Sequence, residues 1–179
     1  ASMAKAAANN NLIGYDQSQR GTFWTNLADS NFDPAQITVP CEADCSSGVA
    51  AIVKGAGYRL KNEKLKNVST ACYTGNLRAA LKAAGFEGLT DKKYLTSDAY
   101  LLEGDILLND GAHVATNLTN GAKASGGGVS QTVPINSNVK LETAKGFNKS
   151  LAGTYKVTGA GALNLRSVSY THLTLPTIA

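Results

Sequence analysis

Charge is scarce in this chain. Asp, Glu, Lys and Arg make up 17% of its 179 residues. Basic residues outnumber acidic ones, for a formal net charge of +4. Yet Lys54, Arg59, Lys61, Lys64, Lys66, Lys92 and Lys93 are scattered, with no dense arginine stripe and no interleaved aromatics. A nucleic-acid footprint needs clustering as well as sign, so nucleic acid is not the expected partner. The mild positive balance suits an anionic polymer equally well.

Long apolar runs are also missing. No stretch approaches the roughly 18 apolar residues of a membrane span, so no membrane insertion is expected. Ala1–Ala8 carries one lysine among alanines, but Asn9, Asn10 and Asn11 stand where the apolar region of a signal peptide would follow. Ala1 and Ser2 before Met3 look like an expression remnant, and residues 1–8 read as a tail. With no signal peptide, the expected route is synthesis in the cytoplasm and release, or export by other means. Cysteines number three. An odd count argues against a framework of paired disulfides and leaves at least one free thiol.

What is present suffices for a folded domain. Hydrophobic residues make up 43%, and 18 glycines with many Asn, Ser and Thr predict a loop-rich mixed architecture. Residues 22–28 form a short helical candidate. Val49, Ile52, Val53 and Ala56 recur at i, i+3, i+4 and i+7, one face of a helix over residues 44–57. Asp44 is its N-cap, with Gly55 and Gly57 as its stop. Leu77, Ala80, Leu81 and Ala84 predict a second helix over 74–84, ended by Gly85.

After Gly104 the pattern turns to strands, at 106–108 and 113–119, with Asn120-Gly121 as a hairpin turn. A Gly- and Ser-rich loop over 125–130 leads to a further strand candidate at 139–142. No internal repeat is found. Helices first and strands afterwards is an α+β order.

Two short segments carry the chemistry. In Asp44-Cys45-Ser46-Ser47 a thiol stands at a helix start, where unpaired N–H groups and the positive end of the dipole favour thiolate. A buried structural cysteine is the alternative, and the commoner fate. In Gly111-Ala112-His113-Val114-Ala115, one of only two histidines opens a strand after a glycine turn. Cysteine-based hydrolysis needs such an imidazole to take the thiol proton and return it to the leaving amine. Its alternative is a polar residue at a strand edge.

Taken in order, Asp44-Cys45-Ser46-Ser47, Gly104-Asp105-Ile106 and His113-Val114-Ala115 resemble the NlpC/P60-type cell-wall peptidases and related phage amidases. Cys45 and His113 stand 68 positions apart. Upstream, Ile13-Gly14-Tyr15-Asp16-Gln17-Ser18 is similar to the lead-in of phage endolysins of this group. The resemblance covers residues 9–145. It implies a papain-like α+β fold, with a nucleophile helix on an antiparallel sheet, and hydrolysis of an amide bond in bacterial peptidoglycan. Cys45 would be the nucleophile and His113 the base. Tyr15 would lie near the nucleophile, and Asp44 and Ser46 would support the helix start.

The family's third catalytic residue sits on the strand after the base, where this chain offers only Ala122-Lys123-Ala124-Ser125. Asn117 is named in its place, although a straight strand would set it about 13 Å from His113. No cofactor is expected. Cys41, Cys45, Cys72 and His113 could be read as a zinc site, but the second matching ligand pair is lacking. Cys41–Cys45 or Cys41–Cys72 pairing would need an oxidising exterior.

Residues 154–167 resemble the opening of a bacterial SH3-type wall-binding module that stops short, and residues 168–179 look like translated vector sequence. The expected division is thus 1–8 tail, 9–149 catalytic domain, 150–167 linker and truncated module, 168–179 non-native. The expected protein is a monomeric peptidoglycan hydrolase, endopeptidase or N-acetylmuramoyl-L-alanine amidase. Its rivals are an inactive wall-binding module and a papain-like acyltransferase or toxin domain.

Overall fold

The computed structural model describes residues 1–124 and the backbone of residues 162–167. Its helices are α1 (Ser2–Ala8), α2 (Thr22–Asp29), α3 (Cys45–Leu60), α4 (Glu63–Lys66), α5 (Thr74–Ala83) and α6 (Lys92–Leu95). Its strands are β1 (Ile13–Tyr15), β2 (Cys41–Ala43), β3 (Phe86–Leu89), β4 (Ile106–Asn109), β5 (His113–Thr116) and β6 (Ala162–Ser167). β1 and β2 form a small parallel pair, and the other four form an antiparallel sheet in the order β3-β6-β4-β5. The architecture is mixed α+β with small sheets. The loop over 125–130 and the strand candidate at 139–142 lie outside the described residues.

α3 is the central element. Val49, Ile52, Val53 and Ala56 are buried as their spacing requires, but so are Ala50 and Ala51 on other faces. The helix is enclosed by α1 and α2, by α4 and α5, and by β5. Burial all round is what a core helix needs, and small side chains let its neighbours approach.

Gly55 and Gly57 do not stop this helix. It continues to Leu60 and ends on Lys61 in the left-handed conformation, φ 54°. The glycines serve packing instead. A Cβ on Gly55 would lie 2.9 Å from Met3 Cε, and one on Gly57 would lie 2.5 Å from Lys66 N and 2.8 Å from Leu65 C. At Gly57 the obstacle is backbone, which cannot rotate away, so α4 is held against α3 there.

The other elements follow or extend the sequence pattern. α2 and α5 lie where expected, and Gly85 at φ +98° ends α5. Residues 2–8, read as part of a tail, form α1 and bury Met3, Ala4 and Ala7 in the core. β5 alternates, with Val114 and Thr116 buried, but it stops at Thr116.

The turn joining β4 to β5 falls at Asp110–Gly111, with Gly111 at φ +74°. Asn120-Gly121 has another purpose: Gly121 N–H donates to Leu101 O at 2.8 Å, and Asn120 Oδ1 accepts from Glu103 N–H at 2.8 Å. A Cβ on Gly121 would fall on the backbone of Asp98 and Ala99, so glycine permits a close approach rather than a hairpin turn. Part of the stretch read as a module opening, Ala162–Ser167, forms β6 between β3 and β4.

Candidate active site

Cys45 occupies the first helical position of α3, with Asp44 as N-cap in extended conformation. A capping box closes the end: Ser47 N–H donates to Asp44 Oδ1 at 2.7 Å, and Asp44 N–H donates to Ser47 Oγ at 2.9 Å. Gly48 N–H donates to Asp44 O at 2.9 Å. Among the described residues, the N–H groups of Cys45 and Ser46 have no acceptor, so two donors at the positive end of α3 stay open beside the thiol.

The Asp44 carboxylate is filled from several sides. Besides Ser47, Oδ1 accepts from Ser46 Oγ at 2.9 Å and from Arg20 Nη2 at 3.2 Å. Arg20 Nε lies 2.6 Å from Oδ2, a close ionic contact that lies off the N–H axis and leaves that N–H without a hydrogen bond. Burial alone would push the Asp44 carboxyl up. Hydrogen bonds from Ser47 and Ser46, with the Arg20 charge, outweigh burial and hold it below the usual carboxylate range.

A carboxyl depressed in the folded state contributes stability above its unfolded pKa, and that contribution disappears as pH falls through the folded value. Asp44→Ala is therefore expected to cost about 1–2 kcal/mol at neutral pH, mainly from the lost cap. Denaturant melts of the two proteins should begin to converge as pH falls below about 4, the ordinary carboxylate range, and close further only as pH falls through the depressed folded value. A constant gap down to pH 2 would contradict this.

Ser46 is buried, and its hydroxyl both donates to Asp44 and accepts from Arg20 Nη2 at 3.1 Å. Tyr15 reaches the same end through the parallel pairing of β1 with β2, which sets it opposite Ala43, and its side chain is exposed.

His113 opens β5, and α3 packs on that strand. Its Nε2 is buried without a hydrogen-bond partner among the described residues. Leaving a polar atom so placed costs about 1–3 kcal/mol. The preceding turn is held from outside: Arg78 on α5 pairs with Asp110, Nε to Oδ1 at 3.0 Å.

Asn117 stands beyond the end of β5. Its side-chain amide donates to Leu102 O at 2.7 Å and to Thr119 O. Its backbone N–H donates to Asp105 O at 2.8 Å. Both side-chain donors are thus committed to the loop around Leu102, leaving Oδ1 for any other role.

The three cysteines are free thiols. Burial pushes the Cys41 and Cys72 thiols up, while Cys45 is only half-buried. Of the three, Cys45 is the one a reagent or substrate can reach. Among the described residues, no group of three or more His, Cys, Asp or Glu is placed to hold a metal ion.

Arg20 is the residue that the sequence reading missed. Its signal is its isolation, for it is the only Lys or Arg between Lys5 and Lys54, and it follows the Tyr15-Asp16-Gln17 segment closely.

An α+β domain with an accessible thiol at a core helix start is an arrangement suited to acyl transfer. The chain belongs to the endolysin-like domain family, whose model matches residues 1–124. That places it with the phage-type hydrolases of bacterial cell wall, with peptidoglycan as substrate. No curated protein and no solved structure matches the chain. Among the described residues no helix is long and apolar enough to cross a membrane, and action on the wall after release fits the family.

Proposed function

We propose that this endolysin-like domain is a cysteine peptidase or amidase of the papain-like NlpC/P60 type, cutting an amide bond of the stem peptide. The observation that carries the reading is the placement of Cys45: a half-buried free thiol at the first position of α3, beside two N–H donors that no described residue engages. His113 Nε2, buried and unpartnered on the strand packed against that helix, is the proposed base.

In this mechanism His113 takes the thiol proton and Cys45 sulfur bonds to the scissile carbonyl carbon. The oxyanion is held by the Cys45 N–H at the helix start. His113 returns the proton to the leaving amine as the C–N bond breaks, giving a thioester. Water, deprotonated by His113, then adds to the thioester carbonyl, and the acid leaves as the thiol re-forms.

Asn117 is the sequence candidate for the third member. Its committed amide favours a loop-holding role, which reduces the machinery to a Cys45–His113 dyad. Tyr15, Asp44 and Ser46 form the surroundings of the nucleophile.

Digestion of purified peptidoglycan tests the reading. Labelling the new amino termini and identifying them by mass spectrometry should show one stem-peptide residue newly exposed. A free L-alanine terminus means amidase action, and one further along the stem means endopeptidase action. Release of reducing sugar without new amines would overturn it.

A further inference from the structure

Arg20 precedes α2, yet its guanidinium joins two other segments of the chain. The two hydrogens of one terminal nitrogen, Nη2, are shared among Asp44 Oδ1 at 3.2 Å, Ser46 Oγ at 3.1 Å and the backbone carbonyl of Cys72. Nε adds the ionic contact with Asp44 Oδ2. Asp44 and Ser46 flank Cys45 at the start of α3, while Cys72 lies just before α5.

We propose that Arg20 is a positioning residue for Cys45, tying the cap of the nucleophile helix to the chain ahead of α5. The inference rests on the cysteine-hydrolase reading above. The capping box fixes the first turn of α3 only relative to itself. Arg20 adds what the box lacks, a link from that turn to a carbonyl 52 residues distant in sequence from the arginine. The link sets the direction in which the Cys45 sulfur and the Cys45 and Ser46 N–H groups face an incoming carbonyl.

Two other roles fit less well. An exposed surface pair would contribute little, but the Asp44 side chain is only 12% exposed and Ser46 is buried. A binding site for a substrate carboxylate would need a free positive charge, and Asp44 already neutralises this one.

The size of the effect follows from geometry. A misplacement of about 1 Å in reacting groups costs on the order of 100-fold in rate. Arg20 touches no reacting atom, so its loss should appear in kcat and leave substrate affinity nearly unchanged.

The test uses the full chain, soluble stem-peptide-bearing wall fragments as substrate, and temperatures below each variant's melting point. Arg20→Ala is expected to lower kcat at least tenfold, on the order expected for a displaced nucleophile, with KM within about threefold. Arg20→Lys keeps one terminal nitrogen with three donors but loses the Nε contact, so its kcat should fall only about two- to fivefold. Iodoacetamide labelling of Cys45, mapped by mass spectrometry, should slow in the same order.

A lower melting point with unchanged kcat would show a purely structural role and overturn the proposal. A raised KM with unchanged kcat would make Arg20 a substrate contact and overturn it as well. If Arg20→Ala does not fold, Arg20→Lys decides: wild-type kcat there refutes the proposal. Cys45→Ala run in parallel separates the two layers. Turnover by that variant removes the cysteine reading itself, whereas an inactive Cys45→Ala beside fully active Arg20 variants removes only the positioning role.

Discussion

Replacing Cys45 by alanine is expected to abolish wall lysis, with a loss on the order of 10⁴-fold or more in turnover, as for other nucleophile deletions. The fold should survive. Cys45 stands at the first turn of α3, alanine is a good helix former, and the capping contacts run through Asp44, Ser46 and Ser47 instead. Melting should therefore shift by less than about 1 kcal/mol of stability. Lysis near the wild-type rate in a turbidity assay on purified walls would remove the nucleophile from the account. Cys72→Ser serves as the comparison: Cys72 is buried and its role in the network runs through its carbonyl, so most activity should remain.

The second large effect concerns His113, where activity should fall without a loss of stability. His113→Phe keeps a ring of similar size and removes the buried, unpartnered Nε2. Relief of that atom should leave stability unchanged or raise it by about 1 kcal/mol, while loss of the base lowers turnover about 10²- to 10⁴-fold. Strain kept for function and released by mutation is the signature sought here. A variant that stays active but loses more than about 2 kcal/mol would instead make His113 a structural residue.

These expectations grew from short local signals. Asp44 as N-cap, the apolar face of α3, the helix ended by Gly85 and the alternation of β5 were legible because each depends on residues within one or two turns. The mixed α+β class was legible for the same reason, but the order of helices first and strands afterwards was not kept, since β1 and β2 precede α3.

What escaped depends on contacts between distant segments. Gly55 and Gly57 looked like a helix stop, but their meaning lies in Met3, Leu27, Leu65 and Lys66, which no local pattern connects to them. Asn120-Gly121 carried a turn signature, yet the chain uses it to lie against residues 98–103. The place of β6 between β3 and β4 is non-local pairing of the same kind. Arg20 was hidden because an arginine's partners cannot be read from its neighbours. Only the folded chain brings it to Asp44, Ser46 and the Cys72 carbonyl.

The central claim is that hydrolysis runs through the Cys45 sulfur, and active-site titration tests it most directly. The wild-type chain is treated with limiting iodoacetamide, the label is mapped by mass spectrometry, and residual wall hydrolysis is measured on the same samples. Burial holds the Cys41 and Cys72 thiols up, so Cys45 should take the label first, and activity should fall in proportion to its labelling. Full activity in protein whose Cys45 is completely carboxamidomethylated would contradict the account.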